Sequence, residues 1–109
     1  RNKTGDTNDE YTQQEFIWDG GGNIVYIAGD FTNWNKIPMT PGYNQFDTFV
    51  YIHPKLIVGK EYQFKFIIDN EWKTSVKYNT KLNNDTDRII NNFIVVERSS
   101  PSTIGQFTV

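Results

Sequence analysis

The sequence predicts an all-β domain, an antiparallel β-sandwich of about seven short strands. Three observations carry this prediction. Runs of alternating apolar and polar residues recur along residues 14–97, turn-forming residues separate the runs, and no stretch shows the 3.6-residue apolar period of a helix. The length of 109 residues also fits one domain with a single hydrophobic core.

The predicted strands of the first half follow one another with clear turns. Residues 15–19 (EFIWD) alternate briefly, and three glycines at 20–22 then form a turn. Residues 23–29 (NIVYIAG) form a second strand. A third strand, TFVYIHP, is expected to end at Pro54, because proline has no N–H to donate to a strand ladder.

A hairpin and a last strand complete the prediction. Residues 60–75 are expected to form the hairpin, with Asp69 and Asn70 in its turn, and RIINNFIVVE forms the last strand. The first hairpin strand separates into two faces with the two-residue period. Four large apolar side chains mark the core face: Tyr62, Phe64, Phe66 and Ile68. The opposite face carries Gln63, Lys65 and Ile67, so Lys65 is expected to point outward.

The flanks differ from the middle of the chain. Residues 1–13 are polar and without periodicity, which predicts a flexible lead-in. Residues 98–109 contain proline and glycine and are predicted to be a tail or linker. The folded module is therefore expected to span residues 14–97.

Composition argues against several kinds of partner. The net charge of −2 provides no basic field for a phosphate backbone, so no nucleic acid is expected. No apolar run approaches the roughly 18 residues of a membrane span, and no signal peptide is visible, so no membrane partner is expected. The absence of cysteine fits a reducing compartment, and a cytoplasmic location is therefore expected.

The sequence offers little for catalysis. His53 is the single histidine and stands beside a proline. A zinc site would need more ligands than the sequence offers at metal-binding spacing. No serine lies in a nucleophile elbow, and the glycines at 20–22 lack the lysine and hydroxyl residue of a phosphate loop. The prediction is a non-catalytic domain without cofactor or metal.

Two tryptophans occupy positions that the core does not obviously claim. Trp34 lies in the loop after the second strand, and Trp72 directly follows the hairpin turn. One interpretation is ordinary packing at the sandwich edges, which is the favoured interpretation for Trp18. The other is a binding face with Lys65, because flat indoles complement the C–H surface of a pyranose ring while polar side chains bond its hydroxyls.

The same residues carry a resemblance to a known family. The segments FIWDGGGNIVYIAGDFTNWNKIPM, YQFKFIIDNEW and NNFIVV resemble the glycogen-binding carbohydrate module of the AMP-activated protein kinase β subunit. They are similar also to modules of branching and debranching enzymes and plant starch phosphatases. The likeness covers residues 15–96 and implies an immunoglobulin-like β-sandwich that binds α-1,4-linked glucans without a catalytic role.

The resemblance also implies site residues. By position, Trp34 and Trp72 match the two stacking tryptophans of the family, Lys65 matches its sugar-contacting lysine, and Asn91 matches an asparagine that bonds glucose hydroxyls. Leu82 is the candidate for a leucine that protrudes into the glucan helix.

One departure keeps a second hypothesis open. The segment before the asparagines is longer than in the family, and Ile89 stands where a threonine hydroxyl would contact sugar. The first hypothesis is a glucan-binding module that targets a larger protein or complex to glycogen or starch. The second is a β-sandwich interaction module of a multiprotein complex, with kinase or other protein subunits as partners and with sugar binding weakened or lost.

Overall fold

The computed structural model describes residues 9–42, 47–82 and 90–98. Within these ranges the chain forms nine strands, a three-residue 3-10 helix at Asp30–Thr32, and two antiparallel sheets. The strands are β1 (Tyr11–Trp18), β2 (Val25–Gly29), β3 (Ile37–Pro38), β4 (Thr40–Pro41), β5 (Phe49–Ile57), β6 (Glu61–Ile68), β7 (Glu71–Lys73), β8 (Asn79–Leu82) and β9 (Ile90–Val95). The predicted all-β sandwich is confirmed.

The larger sheet is organised around strand β6. Its order is β3-β2-β6-β9-β8, and β7 also pairs with β6. The pairs with β7 begin at Phe66, and the pairs with β9 end at Phe64. Because β2 occupies the other side of β6 over this length, β7 and β9 follow one another along the same edge. The smaller sheet has the order β1-β5-β4.

The core lies between the two sheets and is strongly aromatic. Phe16 of the smaller sheet meets Phe64 of the larger sheet edge to face, with ring centroids 5.0 Å apart. Trp18 packs 5.2 Å from Phe66 and donates its indole N–H to the carbonyl of Gly21 at 2.8 Å. Trp18 is therefore a core residue, as predicted. The predicted core face of β6 is also buried: Tyr62, Phe64, Phe66 and Ile68.

The hairpin turn is confirmed by its backbone. Asp69 and Asn70 both have positive φ, at 49° and 74°, and the residues on either side of them pair directly. Two consecutive left-handed residues match the right-handed twist of the flanking strands, and asparagine and aspartate tolerate this conformation better than most residues.

The predicted end of a strand at Pro54 is wrong, since β5 continues to Ile57. The register with β1 passes from the pair Gln14–His53 to the pair Thr12–Leu56. Strand β5 therefore contains one more residue than β1 over this stretch, which is a β-bulge. A bulge interrupts the ladder locally, and proline is tolerated there because its missing N–H is not needed.

The first strand begins earlier in the chain than expected. Strand β1 begins at Tyr11, three residues before the expected start at residue 14. An ion pair of 2.8 Å between Glu10 and Arg98 connects the first and last described stretches. The predicted flexible lead-in and tail fall mostly on residues 1–8 and 99–109, which lie outside the described residues. Nine strands are described where about seven were expected, because β3 and β4 have two residues each.

Candidate functional site

The outward face of the larger sheet carries a small apolar layer of its own. Directly paired residues of neighbouring strands share a face, so Tyr26, Ile67 and Trp72 form a row across β2, β6 and β7. Ile67 lies on the outward face as predicted, yet it is only 1% exposed, and Ala28, paired with Lys65, is fully buried. Neighbouring side chains on the same face therefore cover Ile67 and Ala28. We call these two covered residues the apolar floor of the outward face.

Trp72 and Lys65 lie near the point where the pairing of β6 passes from β9 to β7. Both line an open cavity of about 450 Å³, together with Lys73, Thr74 and Ile90. The indole of Trp72 is 49% exposed, and Lys65 is half-buried. Of the two indoles expected to flank Lys65, Trp72 shares this cavity with it, whereas Trp34 is not among the residues that line the cavity.

Trp34 stands in a tight loop that the backbone holds firmly. The 3-10 helix ends in two consecutive left-handed residues, Asn33 with φ of 55° and Trp34 with φ of 62°. The N–H of Trp34 donates to the carbonyl of Gly29 at 2.9 Å, and the hydroxyl of Thr32 donates to the carbonyl of Asn35 at 2.8 Å. Left-handed conformation is rare for a tryptophan, so these bonds hold the residue in a specific orientation with 36% of its surface exposed.

A close approach of two backbones brings this loop against β6. A β-carbon added at Gly29 would lie 2.7 Å from the carbonyl oxygen of Gln63 and 2.7 Å from the β-carbon of Phe64. Only glycine allows this approach. Further along the same loop, Lys36 places its Nζ 5.5 Å from the ring centroid of Tyr26, which belongs to the outward row.

Asp30 and Gln63 connect Trp34 with Asn91. The indole N–H of Trp34 donates to Oδ1 of Asp30 at 3.0 Å, and the backbone N–H of Gln63 donates to Oδ2 of the same carboxylate at 2.7 Å. The side-chain oxygen of Gln63 accepts a hydrogen bond from Nδ2 of Asn91 at 2.9 Å. Asn91 is 3% exposed, so its amide is held at the floor of the outward face rather than free on the surface.

The other predicted residues are placed differently. Leu82 pairs with Ile90, whereas the preceding Lys81 pairs with Asn91. Because side chains alternate along a strand, Leu82 belongs to the face opposite Asn91 and shares it with Ile90, which lines the cavity beside Trp72 and Lys65. Leu82 is 50% exposed and is not itself among the residues that line this cavity. Ile89 lies outside the described residues.

The single histidine belongs to the smaller sheet. A hydrogen bond of 2.8 Å joins Nδ1 of His53 to the hydroxyl of Tyr51, and the imidazole packs 5.3 Å from the ring of Phe31. Burial lowers the pKa of the His53 imidazole and raises the pKa of the Tyr51 phenol. His53 therefore has a packing role in the structure.

The described ranges contain no ligand set for a metal ion. Within residues 9–42, 47–82 and 90–98, no group of three or more histidine, cysteine, aspartate or glutamate side chains could hold a metal ion. No helix of the described chain is long and apolar enough to cross a membrane.

Sequence reasoning missed Asp30, Gln63 and Tyr26. Gln63 was placed on the outward face but received no role, and its contact with Asn91 depends on the register of β6 and β9. The sequence contained one usable signal for Asp30, an acidic residue in the turn four positions before the loop tryptophan. Aspartate often accepts hydrogen bonds within a turn, but its bond to β6 could not be read without the fold.

The fold and the site define a class of protein. An all-β scaffold presents the exposed indole of Trp72 beside Lys65 on one sheet face, and the amide of Asn91 is held by Gln63 on the same face. Such a surface fits a recognition module that binds extended, hydroxyl-rich ligands by stacking and hydrogen bonding.

The comparison with protein families defines this class further. Residues 12–102 match the model described as the glycogen recognition site of AMP-activated protein kinase. The match covers most of the chain, and the chain therefore belongs to this family. The resemblance stated from the sequence is confirmed.

The relatives are subunits of protein kinases. The chain is 42% identical over 57 residues to 5'-AMP-activated protein kinase subunit beta-1 of pig (Sus scrofa), which covers 52% of this chain and 43% of the pig protein. The human subunit beta-1 gives the same identity over 19% of its length. SNF1 protein kinase subunit beta-3 of Saccharomyces cerevisiae is 32% identical over 98 residues, covering 84% of this chain and 21% of the yeast protein. The chain thus spans less than half the length of these relatives.

Proposed function

We propose that this domain binds α-1,4-linked glucan, as glycogen or starch, without catalysing a reaction on it. Trp72 and Lys65 would contact the sugar at the cavity between β7 and β9, with Trp34 stacking and Asn91 bonding hydroxyls. The observation that carries the proposal is the outward face itself, where the exposed indole of Trp72 lies beside the buried Ile67 and lines a cavity with Lys65. Membership of the glycogen-recognition family supports it.

The expected affinity follows from the stacking of sugar on the indole rings of Trp34 and Trp72. Stacking on an aromatic side chain is worth about 1–3 kcal/mol per ring, by analogy with nucleic-acid bases. Two indoles and a few hydrogen bonds therefore lead to an affinity in the micromolar class. Such an affinity suits a module that directs a larger protein or complex to a polysaccharide carrying many equivalent sites.

Glucan retention tests the proposal. The parent chain and the Trp34→Ala, Trp72→Ala double variant are run on native gels with and without glycogen or amylose. We expect glucan to retard the parent and not the double variant. Tyr11→Ala is the matched control, because Tyr11 is an aromatic residue of the smaller sheet with 47% exposure and should not affect retention.

Thermal melting of each variant separates loss of binding from loss of folding. Trp72 covers part of the apolar floor, so the double variant is compared only at temperatures where it is folded. Equal mobility of the parent with and without glucan would exclude the sugar-binding proposal.

A contact with protein subunits is the second candidate function. The relatives are kinase subunits, and the outer side of the smaller sheet presents an exposed Ile52 beside a cavity of about 510 Å³. We therefore propose a cytoplasmic kinase β-subunit context for the domain. Co-purification of the full-length protein with its kinase subunits, with the parent compared with Ile52→Asp, tests whether this sheet takes part.

A further inference from the structure

We propose that Asp30 is a positioning residue for glucan recognition, and that it acts by fixing the Trp34 indole relative to Asn91. The proposal rests on the proposed function. We call the chain of contacts Trp34–Asp30–Gln63–Asn91 the Asp30–Gln63 bridge.

The first step is the orientation of the indole. A tryptophan side chain has two rotatable bonds, and a hydrogen bond at Nε1 restricts both of them once the backbone is held. Here the backbone of Trp34 is held in the left-handed region by its bond to Gly29, and Nε1 is bonded to Asp30 at 3.0 Å. The indole N–H is therefore committed to the protein, and the ring can offer sugar its flat surface without reorientation.

The second step is the attachment of this unit to β6. The other carboxylate oxygen of Asp30 accepts the backbone N–H of Gln63 at 2.7 Å. The ion pairs among residues 9–42, 47–82 and 90–98 do not include Asp30, so two N–H donors rather than a cation engage its carboxylate. Hydrogen bonds to an ionised acceptor are stronger than neutral ones, which makes a carboxylate suited to this role.

The third step is the attachment of Asn91 to the same residue of β6. Gln63 uses its backbone for Asp30 and its side-chain oxygen for the amide of Asn91, which is almost fully buried. One residue of β6 thus fixes both a loop that carries a ring and a strand that carries an amide. Binding groups that are already held in place lose less conformational entropy when the ligand arrives, so affinity depends on the bridge.

Two variants of Asp30 test the bridge. Asp30→Ala removes both acceptors, and we expect glucan affinity to fall about tenfold, the loss that follows from having to order one aromatic side chain on binding. Asp30→Asn keeps one acceptor oxygen but turns an amide NH₂ toward a donor, so its affinity should lie between those of the parent and Asp30→Ala.

Asp69→Asn provides the matched control. Its carboxylate also accepts backbone N–H groups in a turn, from Asn23 and Ile24, but it is not bonded to a tryptophan. We expect this variant to keep the parent's glucan affinity even where its melting temperature falls as much as that of Asp30→Asn.

The indole N–H signals in ¹H–¹⁵N spectra supply a readout that a merely structural role would not move. In Asp30→Ala, we expect the Trp34 signal to shift and its hydrogen exchange to accelerate, while the Trp18 signal stays in place because that indole is bonded to Gly21. An unchanged Trp34 signal would contradict the bridge.

The affinity measurements separate two kinds of failure. A parent that binds glucan, together with an Asp30→Ala variant that binds equally well, would overturn the positioning role and leave the proposed function intact. An equal loss of affinity in Asp69→Asn would also overturn it, because general destabilisation would then explain the effect. A parent that binds no glucan would overturn the proposed function and, with it, this role.

Discussion

Two adjacent asparagines on β9 show how the two faces of the larger sheet differ. Asn92 points into the sandwich, where its Oδ1 accepts the N–H of Ser75 at 2.7 Å and its Nδ2 donates to the carbonyl of Ser75 at 2.9 Å. Asn91 points outward and donates to the side chain of Gln63. Both are nearly inaccessible to water.

The difference teaches that burial alone does not tell a structural residue from a binding residue. Asn92 bonds to backbone groups and holds the turn before β8, so its partners belong to the fold. Asn91 bonds to the side chain of Gln63 at the base of an exposed surface, so its partner belongs to the outward face rather than to the core. The same contrast separates Phe66, inside the core, from Trp72 on the outward face.

The largest expected effect is on the inner face. Phe66→Ala should reduce the free energy of unfolding by about 3–5 kcal/mol, because it leaves a cavity beside Trp18 and Phe64. Denaturant titration measures the loss, with Phe66→Leu as the milder control. A loss below about 1 kcal/mol for Phe66→Ala would break the assignment of this face to the core.

The asparagines provide the most direct comparison. Asn92→Ala should cost about 2–3 kcal/mol, since it leaves the buried N–H and carbonyl of Ser75 without their partner. Asn91→Ala should cost less, about 1 kcal/mol, and should lower glucan affinity. Equal unfolding free energies for the two variants, measured in parallel, would remove the distinction.

Tyr78 sharpens the comparison through pH. Its hydroxyl accepts the N–H of Ile17 at 2.8 Å, and burial raises the pKa of the phenol above its ordinary value of 10.0. The unfolded chain therefore loses this proton first, and the stabilising effect, complete below pH 10, is lost as pH rises through the raised folded-state pKa.

Tyr78→Phe keeps the ring and removes the hydroxyl. We expect the variant to lose about 1 kcal/mol at neutral pH and to depend less steeply on pH above 10 than the parent. Thermal melting between neutral and strongly alkaline pH checks both effects. Parallel curves for parent and variant would show that Tyr78 does not contribute to the alkaline loss.

The smallest stability effect is expected at Lys65. Lys65→Ala should change the free energy of unfolding by less than about 0.5 kcal/mol, because the apolar neighbours of Lys65 along β6 already fix the strand. The same variant should bind glucan more weakly. A large fall in melting temperature would mean that the assignment of the two faces of β6 is reversed.

The fold could be predicted from the sequence because each strong signal was local. The alternation in β6 and the Asp69–Asn70 turn depend on neighbouring residues, and both were confirmed. The passage of β5 through Pro54 depends on a bulge against β1, a tertiary adjustment that overrides the local rule for proline.

The site could be predicted only in part for the same reason. The exposure of Trp34, Trp72 and Lys65 follows from turn and strand positions, whereas the burial of Asn91 results from a cross-strand partner that the sequence does not reveal. The placement of Leu82 depends on the register of β8, which no local pattern determines.

Because Ile67 is covered on the outward face, the residues of that surface also shield the larger sheet from water. Trp72 and Tyr26 flank Ile67 on both sides, so deleting the indole would open an apolar spot in the middle of the outward face. A descendant of this chain that no longer needed the tryptophan could not discard it freely. It would have to replace the ring with another bulky apolar group or tolerate a greater tendency to aggregate.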